Sequence, residues 1–256
     1  DPIHELSEIC LKNNIGLHVD CCLGGFILPF LEMEELFDFR LKGVSSISAD
    51  LHKYGNGPKG VSILMYSNRE LMKHQYFVQD EWMGGIYATS TTLGSRSGNN
   101  IALSWATMMH YGFNGYKENA TNINKTCKYL EDSINKMKNI EVIGNNPKCA
   151  VGFRSKNNKL DIFEVNQKMK EKGWCLNALQ FPSSVHICVT AMHNETIAKE
   201  FITNLSESIN DVLKNSKGKV SIGDATIYGS SQKVSDRNII KLISKEYLDC
   251  YYTFNF

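Results

Sequence analysis

GVSSISADLHKYGNGPKG, residues 43–60, joins a strand pattern to a loop that carries reactive side chains. Residues 44–50 have the composition of a buried strand, and a turn signal of glycine, asparagine and proline follows them. Glycines in such a loop allow unusual backbone dihedral angles and close approach of the backbone to a ligand. The stretch therefore predicts a strand whose carboxyl end presents Lys53, either as a solvated surface charge or as a reactive amine.

Two further strand patterns flank this stretch. Residues 15–20, which follow a helix pattern, read as a buried strand that ends in Asp20, and residues 61–66 read as a third strand. Strands fed by a helix in this way belong to sheets that are covered on both faces. If the first two strands are parallel neighbours, Asp20 and Lys53 leave the sheet at one edge, where α/β sheets bind their ligands.

An aspartate and a lysine at one sheet edge suit a particular chemistry. A lysine in a partly desolvated pocket has a lowered pKa and can add to a carbonyl carbon as a Schiff-base nucleophile. Pyridoxal phosphate needs such a lysine, together with a carboxylate that keeps its pyridine nitrogen protonated. From the residues alone, Asp20 remains open to a helix-capping or loop role and Lys53 to that of a surface charge.

The composition excludes several other classes of function. With 28 basic and 27 acidic side chains, the chain has no net field that would attract nucleic acid. The eight cysteines are scattered without C-x-x-C spacing or paired histidines, so we expect reduced thiols and no metal site. No apolar run approaches the roughly eighteen residues of a membrane span.

The rest of the chain reads as a loop-rich stretch, two helices and an α+β region. Residues 76–98 show loop composition, and residues 101–112 predict a helix that is buried because it is apolar nearly all round. Residues 116–137 predict a long amphipathic helix that leads into a second region. From about residue 139, short strands alternate with helices, which predicts a small α+β domain.

Four motifs carry a resemblance to a known family. They are LHVDCCLGGF (17–26), FDFRLKGVSSISADLHKYGNGPKG (37–60), GGIYATSTTLGSRSG (84–98) and NALQFPSSVHICVT (177–190). In this order they resemble the sphingosine-1-phosphate lyases, fold-type-I pyridoxal-phosphate enzymes of the group II decarboxylase clan. The resemblance implies an α/β fold with the C-terminal part of a large cofactor-binding domain over 1–112, a connecting helix over 113–138 and a small α+β C-terminal domain over 139–256.

The resemblance assigns roles to residues around the lysine. Lys53 is similar to the lysine that forms the Schiff base with pyridoxal 5'-phosphate, and Asp20 to the partner of its pyridine nitrogen. His52 matches a histidine that lies at the cofactor near its phosphate, with a structural role as the alternative. Lys59 matches the lysine of a PKG motif that is associated with the catalytic step and the substrate phosphate.

Further residues are implied to lie near the cofactor. Cys21 replaces a small alanine that packs against the cofactor ring, and Cys22 matches the cysteine that follows it. Gly94 and Ser95 are similar to residues of a loop that reaches the cofactor phosphate of the neighbouring subunit in obligate homodimers. Arg96 pairs either with a phosphate or with an acidic neighbour.

The chain departs from the family at Asn56 and Gly57, where the family usually has an aromatic residue and an alanine. This difference implies that an aromatic wall is lost from the substrate path. The resemblance also implies that a membrane anchor, a histidine that stacks on the cofactor, the main phosphate cradle and a catalytic tyrosine belong to sequence upstream of these residues. It places the protein at the endoplasmic reticulum membrane, with its catalytic part facing the cytosol.

The function implied is that of a carbon–carbon lyase in sphingolipid degradation. Such an aldehyde-lyase cleaves sphingosine or sphinganine 1-phosphate into a long-chain aldehyde and phosphoethanolamine. An amino-acid decarboxylase of the same clan is the alternative, and Lys59 separates the two, because decarboxylases tend to carry an apolar residue in that place. A non-catalytic chain that keeps only part of the site is the third reading.

Overall fold

The computed structural model describes residues 1–33, 35–145, 148–215 and 234–252. The chain forms two compact units, Asp1–Asn122 and Ile123–Phe256. The long helix α3, Gly98–Asn135, contributes to both of them. The domain boundaries at residues 112 and 138 stay a prediction.

The first unit is built on a three-stranded sheet. Strands β1 (Leu17–Asp20) and β2 (Val44–Ala49) are parallel, and β3 (Ile63–Tyr66) lies antiparallel to β2, in the order β1-β2-β3. Asp20 pairs in register with Ser48. The parallel pairing is confirmed, so the carboxyl ends of β1 and β2 meet at one edge.

One face of this sheet is packed into a core. Helix α1 (Ile3–Lys12) and two short 3₁₀ turns, Gly24–Phe26 and Leu28–Phe30, belong to the same unit. Side chains alternate between the two faces of a strand, so Val19 enters the core while His18 and Asp20 point away from it. The buried cluster consists of Val19, Cys21, Phe37, Leu41, Val44 and Ile47.

The stretch that the sequence predicts as loop-rich contains regular structure. Helix α2 (Arg69–Lys73) is followed by an antiparallel hairpin of β4 (Phe77–Gln79) and β5 (Tyr87–Thr89). These strands have three residues each, which is too short for a clear alternation pattern in the sequence. The interpretation of residues 76–98 as loop-rich therefore missed β4 and β5.

The predicted buried helix exists but is not buried. It forms the first part of α3, which continues through Gly112 at a kink where φ is 58° and ψ is −176°. Ile101, Trp105 and Met109 follow one another at intervals of four residues and are 63–67% exposed. Residues four apart share a helix face, so α3 carries an uncovered apolar stripe in the part of the chain that the structure describes.

The second unit is an α+β layer. Its antiparallel sheet has the order β6 (Ile140–Val142), β7 (Ala150–Ser155), β9 (Ser184–Cys188), β8 (Asn177–Leu179). Helices α4 (Ile162–Glu171) and α5 (Glu195–Asn215) supply core residues, and α6 (Arg237–Asp249) follows. The predicted alternation of strands and helices is confirmed, except that residues 216–233 and 253–256 of the predicted α+β domain lie outside the described residues.

No helix among the described residues has both the length and the apolar character needed to cross a bilayer.

Candidate functional site

Asp20 ends β1 with its carboxylate fixed by neighbouring donors. Its Oδ1 accepts hydrogen bonds from the backbone N–H of Cys22 at 2.9 Å and from Ser48 Oγ at 3.1 Å. Hydrogen bonds from the thiol and backbone of Cys22, and then from Ser48, lower the pKa of Asp20. The carboxylate therefore stays anionic, and both of the hydrogen bonds with a measured distance end on the same oxygen.

A polar ladder supports this carboxylate. His18 and Asp20 of β1 pair with Ser46 and Ser48 of β2 on one face of the sheet. His18 Nδ1 lies 2.8 Å from Ser46 Oγ, and its Nε2 lies 3.2 Å from Ser48 Oγ. Sequence reasoning missed Ser46 and Ser48, although the alternation of side chains along the strand pattern 44–50 was the signal that could have found them.

Lys53 follows β2 in a turn, in which its N–H donates to the carbonyl oxygen of Asp50 at 3.2 Å. Its Nζ lies 2.9 Å from Asp50 Oδ2, and its side chain is 39% exposed. The hydrogen bond that Lys53 donates to Asp50 is the main cause that raises the pKa of Lys53. The adjacent carboxylate stabilises the ammonium form more than burial disfavours it.

Asp50 is the residue of this edge that sequence reasoning passed over. It is 8% exposed, and its backbone N–H donates to the carbonyl oxygen of Cys22 at 3.3 Å. Side-chain hydrogen bonds from Ser62 and then from Lys53 lower its pKa to about 2. Asp50 thus carries a full negative charge at neutral pH, at the point where the ends of β1 and β2 meet.

The imidazole of His52 lies between a backbone carbonyl group and the carboxylate of Asp50. Its Nδ1 lies 2.7 Å from the carbonyl oxygen of Val61, and its Nε2 lies 3.8 Å from Asp50 Oδ2. Because a carbonyl oxygen only accepts hydrogen bonds, Nδ1 carries a proton. This arrangement fits the structural alternative for His52, and the predicted contact with the cofactor phosphate stays a prediction.

The loop after Lys53 packs on a buried leucine. Leu51 is fully buried, and its carbonyl oxygen accepts a hydrogen bond from the N–H of Gly57 at 2.9 Å. Asn56 has φ of 56°, a left-handed conformation that asparagine tolerates better than aromatic residues do. Tyr116 on α3 donates its hydroxyl to the carbonyl oxygen of Gly55 at 2.9 Å. The residues that depart from the family thus match the backbone that the loop adopts here.

The two adjacent cysteines point in different directions. Cys21 is 5% exposed and belongs to the hydrophobic core cluster, where burial raises the pKa of its thiol to about 11. Cys22 lies beside Asp20 and Ser48, with its Sγ 3.5 Å from Ser48 Oγ. Cys21 is therefore a core residue in this structure, and its predicted contact with the cofactor ring stays a prediction.

The loop that contains Gly94 and Ser95 is exposed and is held by Arg96. Arg96 Nη1 donates to Thr89 Oγ1 at 2.9 Å and to the carbonyl oxygen of Leu93 at 3.1 Å. Hydroxyl and carbonyl oxygens thus bind this guanidinium, and its predicted pairing with a phosphate or an acidic neighbour stays a prediction.

The structure brings together five of these residues at the edge formed by β1 and β2. The five are Asp20, Cys22, Asp50, His52 and Lys53. Lys59, Gly94 and Ser95 are exposed residues that lie outside this hydrogen-bonded network of the described chain. Their predicted roles toward substrate and cofactor phosphates stay predictions.

Comparison with known proteins supports the cofactor chemistry. Residues 1–156 match the family described as the pyridoxal-dependent decarboxylase conserved domain. Over 259 residues the chain is 43% identical to sphingosine-1-phosphate lyase 1 of Mus musculus, covering 99% of this chain and 45% of that protein. It is 46% identical to the sphingosine-1-phosphate lyase of Oryza sativa subsp. japonica, covering 97% of this chain and 46% of that protein. The chain thus spans about half the length of the curated relatives it matches.

Solved structures give the same result for the fold. The sphingosine-1-phosphate lyase of Burkholderia pseudomallei superposes with a TM-score of 0.79 at 38% identity, covering 84% of this chain and 49% of that chain. The glutamate decarboxylase of Lactobacillus brevis superposes with a TM-score of 0.72 at 24% identity, covering 86% of this chain and 53% of that chain. The second likeness concerns the fold alone. The predicted fold class, the C-terminal part of a fold-type-I α/β protein, is confirmed.

Proposed function

The chain belongs to the pyridoxal-dependent decarboxylase family, and we propose that its protein is a carbon–carbon lyase of sphingolipid degradation. It would cleave sphingosine or sphinganine 1-phosphate into a long-chain aldehyde and phosphoethanolamine. The observation that carries this proposal is that Asp20 at the end of β1 and Lys53 in the turn after β2 lie at the edge where these parallel strands end. The 43–46% identity to sphingosine-1-phosphate lyases over 97–99% of the chain favours this substrate class.

The cofactor of this family is pyridoxal 5'-phosphate, and the residues at the edge fit it. Asp20 stays anionic, so its carboxylate would bind the protonated pyridine nitrogen. Lys53 would hold the cofactor covalently through its amino group. When bound, the cofactor supplies an electron-withdrawing ring that accepts the electron pair of the bond that is cleaved.

Lys59 supports a phosphorylated substrate over an amino acid. It follows the glycines and proline of the loop and is exposed, so its ammonium group is available to an anion. A substrate phosphate gives a reason for a cation at this position, whereas the carboxylate and side chain of an amino acid do not require a second lysine. Lys59 would bind the phosphate and hold the substrate in place while its carbon–carbon bond is cleaved.

The family resemblance and the exposed apolar stripe of α3 together support a homodimer. Ile101, Trp105 and Met109 would be covered by a partner subunit, since contiguous exposed apolar surface marks interaction sites. Gly94 and Ser95 would then reach the cofactor phosphate of the partner. We further propose that the protein acts at the endoplasmic reticulum membrane with its catalytic part in the cytosol, which suits a lipid substrate.

Replacing Lys53 by alanine tests the assignment of the cofactor lysine. Because only the lysine amino group can hold the cofactor covalently, Lys53→Ala should abolish the absorption band that bound pyridoxal phosphate shows near the visible edge. The measurement is the absorbance spectrum of protein made from its natural gene, with Lys73→Ala as the control that keeps the band. Persistence of the band in Lys53→Ala would show that another residue holds the cofactor.

The substrate class is tested separately by a parallel assay. Phosphorylated sphingoid bases, glutamate and aromatic amino acids are offered to the same preparation, and aldehyde, phosphoethanolamine and carbon dioxide are measured. We expect turnover of the phosphorylated bases alone, and at least a tenfold loss with Lys59→Ala. Turnover of the amino acids alone would identify a decarboxylase instead.

A further inference from the structure

The carboxylate of Asp50 has contacts other than that with Lys53. The backbone of Asp50 is bonded to the carbonyl oxygen of Cys22 at the end of β1, and its side chain is 10% exposed. Ser62 also donates a side-chain hydrogen bond to the carboxylate. The carboxylate of Asp50 is therefore attached to the sheet edge by groups other than the lysine.

Lys53 is the movable member of this pair. Its side chain is 39% exposed and reaches Asp50 Oδ2 at 2.9 Å through a turn that its own N–H closes on the carbonyl oxygen of Asp50. A long flexible amine next to a fixed, mostly buried carboxylate adopts the geometry that the carboxylate dictates. The sequence spacing of three residues suffices for this contact.

A second ion pair between a lysine and a carboxylate in the same unit shows what is particular to Asp50. Lys73 Nζ lies 2.7 Å from Glu70 Oε1, again at a sequence spacing of three residues. In that pair the carboxylate side chain is 79% exposed, compared with 10% for Asp50. Exposed pairs of this kind contribute little because solvent screens them, whereas screening is weaker at Asp50.

We propose that Asp50 is a positioning residue for Lys53 and holds the lysine amino group as an ammonium ion whenever that group is not bonded to the cofactor. This inference rests on the proposed function, which assigns cofactor bonding to Lys53. The released amino group takes its proton from solvent and stays at the sheet edge instead of competing with the amino group of the substrate. Asp20 and Cys22, the other groups that act electrostatically on Lys53, favour the same cationic form.

The test measures the protonation of Lys53 without the cofactor. Protein made from its natural gene is freed of pyridoxal phosphate with hydroxylamine and labelled briefly with an acylating reagent across a range of pH. Mass spectrometry of each peptide gives the labelling midpoint of each lysine, which depends on protonation and not on how exposed the lysine is. In the unsubstituted protein we expect the midpoint of Lys53 to lie above the median of the exposed lysines.

Three variants separate charge from packing. Asp50→Asn removes the charge with almost no change of shape, and it should lower the midpoint of Lys53 by roughly half a pH unit to one unit. Asp50→Glu keeps the negative charge, so the labelling midpoint of Lys53 should stay close to that of the unsubstituted protein. Glu70→Gln, the matched control, should leave the midpoint of Lys53 unchanged.

Two results would overturn the inference. One is an unchanged midpoint of Lys53 in folded Asp50→Asn, with folding checked by thermal unfolding. The other is a midpoint at or below the median in the unsubstituted protein, which decides the matter even if the variants do not fold. Neither result depends on the proposed function, whose own failure appears as a cofactor band that survives in Lys53→Ala.

Discussion

At the scale of single residues, Ser48 is the donor that links Asp20 to the neighbouring strand. Replacing it by alanine removes one of the hydrogen bonds that lower the pKa of Asp20, so this pKa should rise. A carboxyl group with a depressed folded-state pKa adds stability above its unfolded-state pKa and loses it as the pH falls. Ser48→Ala should therefore release the cofactor at a higher pH during acid titration, as followed by absorbance.

Ser46→Ala is the matched control for this prediction. Ser46 lies on the same face of β2 and contacts His18, but its hydroxyl makes no hydrogen bond to Asp20 among the contacts of the described chain. The pH of cofactor release should then stay close to that of the unsubstituted protein. Equal shifts of the release pH in Ser46→Ala and Ser48→Ala would mean that both serines affect cofactor release only through the stability of the fold.

The residues of the candidate site were predictable to different degrees. Asp20 and Lys53 could be found because Asp20 ends one strand pattern, Lys53 follows shortly after the next, and both carry the chemistry of a cofactor site. Asp50 belongs to the same pattern, yet its importance depends on which way its side chain points after the strand ends, and on Ser62 from the next strand segment. Only the folded backbone brings these groups together.

At the scale of elements, the loop after Lys53 is shaped by close packing on Leu51. A Cβ added at Gly57 would lie 2.6 Å from Leu51 Cγ, and one added at Gly55 would lie 2.7 Å from the Leu51 carbonyl oxygen. We expect Gly57→Ala to lower the free energy of unfolding by about 1–3 kcal/mol, the usual cost of overpacking. Denaturant unfolding of the purified protein measures the change.

A double-mutant cycle with Leu51→Ala distinguishes the two glycines. Combined with Gly57→Ala, this change removes the clashing side chain, so the double variant should be more stable than the sum of the single effects predicts. Gly55→Ala should show no such rescue, because there the added Cβ meets the backbone of Leu51 as well. Equal coupling for both glycines would contradict the packing argument.

At the scale of elements, short strands were harder to predict from the sequence than long helices. The hairpin of β4 and β5 has strands of three residues, and such strands give no reliable period. Gly112 predicts a helix end, since glycine commonly ends helices, and its non-helical dihedral angles do interrupt α3 at that point. The long amphipathic pattern after Gly112 was predictable because Tyr116, Ile123 and Leu130 are buried at helical intervals.

At the scale of the whole molecule, the sequence predicted the fold class and the α+β character of the second region, but not the exposure of the first part of α3. An apolar helix pattern shows that a surface must be covered, and it does not distinguish burial within one chain from burial against another. The stripe of α3 is apolar enough to look like a core helix. In the described part of the chain it is exposed to solvent.

The last prediction concerns the exposed stripe of α3 as the interface of the proposed dimer. Trp105→Lys places a charge in the middle of the stripe, between Ile101 and Met109, and should convert dimers to monomers in sedimentation experiments, because burying an unpaired charge at an interface is unfavourable. Thr121→Lys adds the same charge at an exposed polar position of α3 and should leave the dimer intact. Since Gly94 and Ser95 are proposed to reach the cofactor of the partner, Trp105→Lys should also bind pyridoxal phosphate at least tenfold more weakly. A dimer that persists in Trp105→Lys would place the subunit interface away from the stripe.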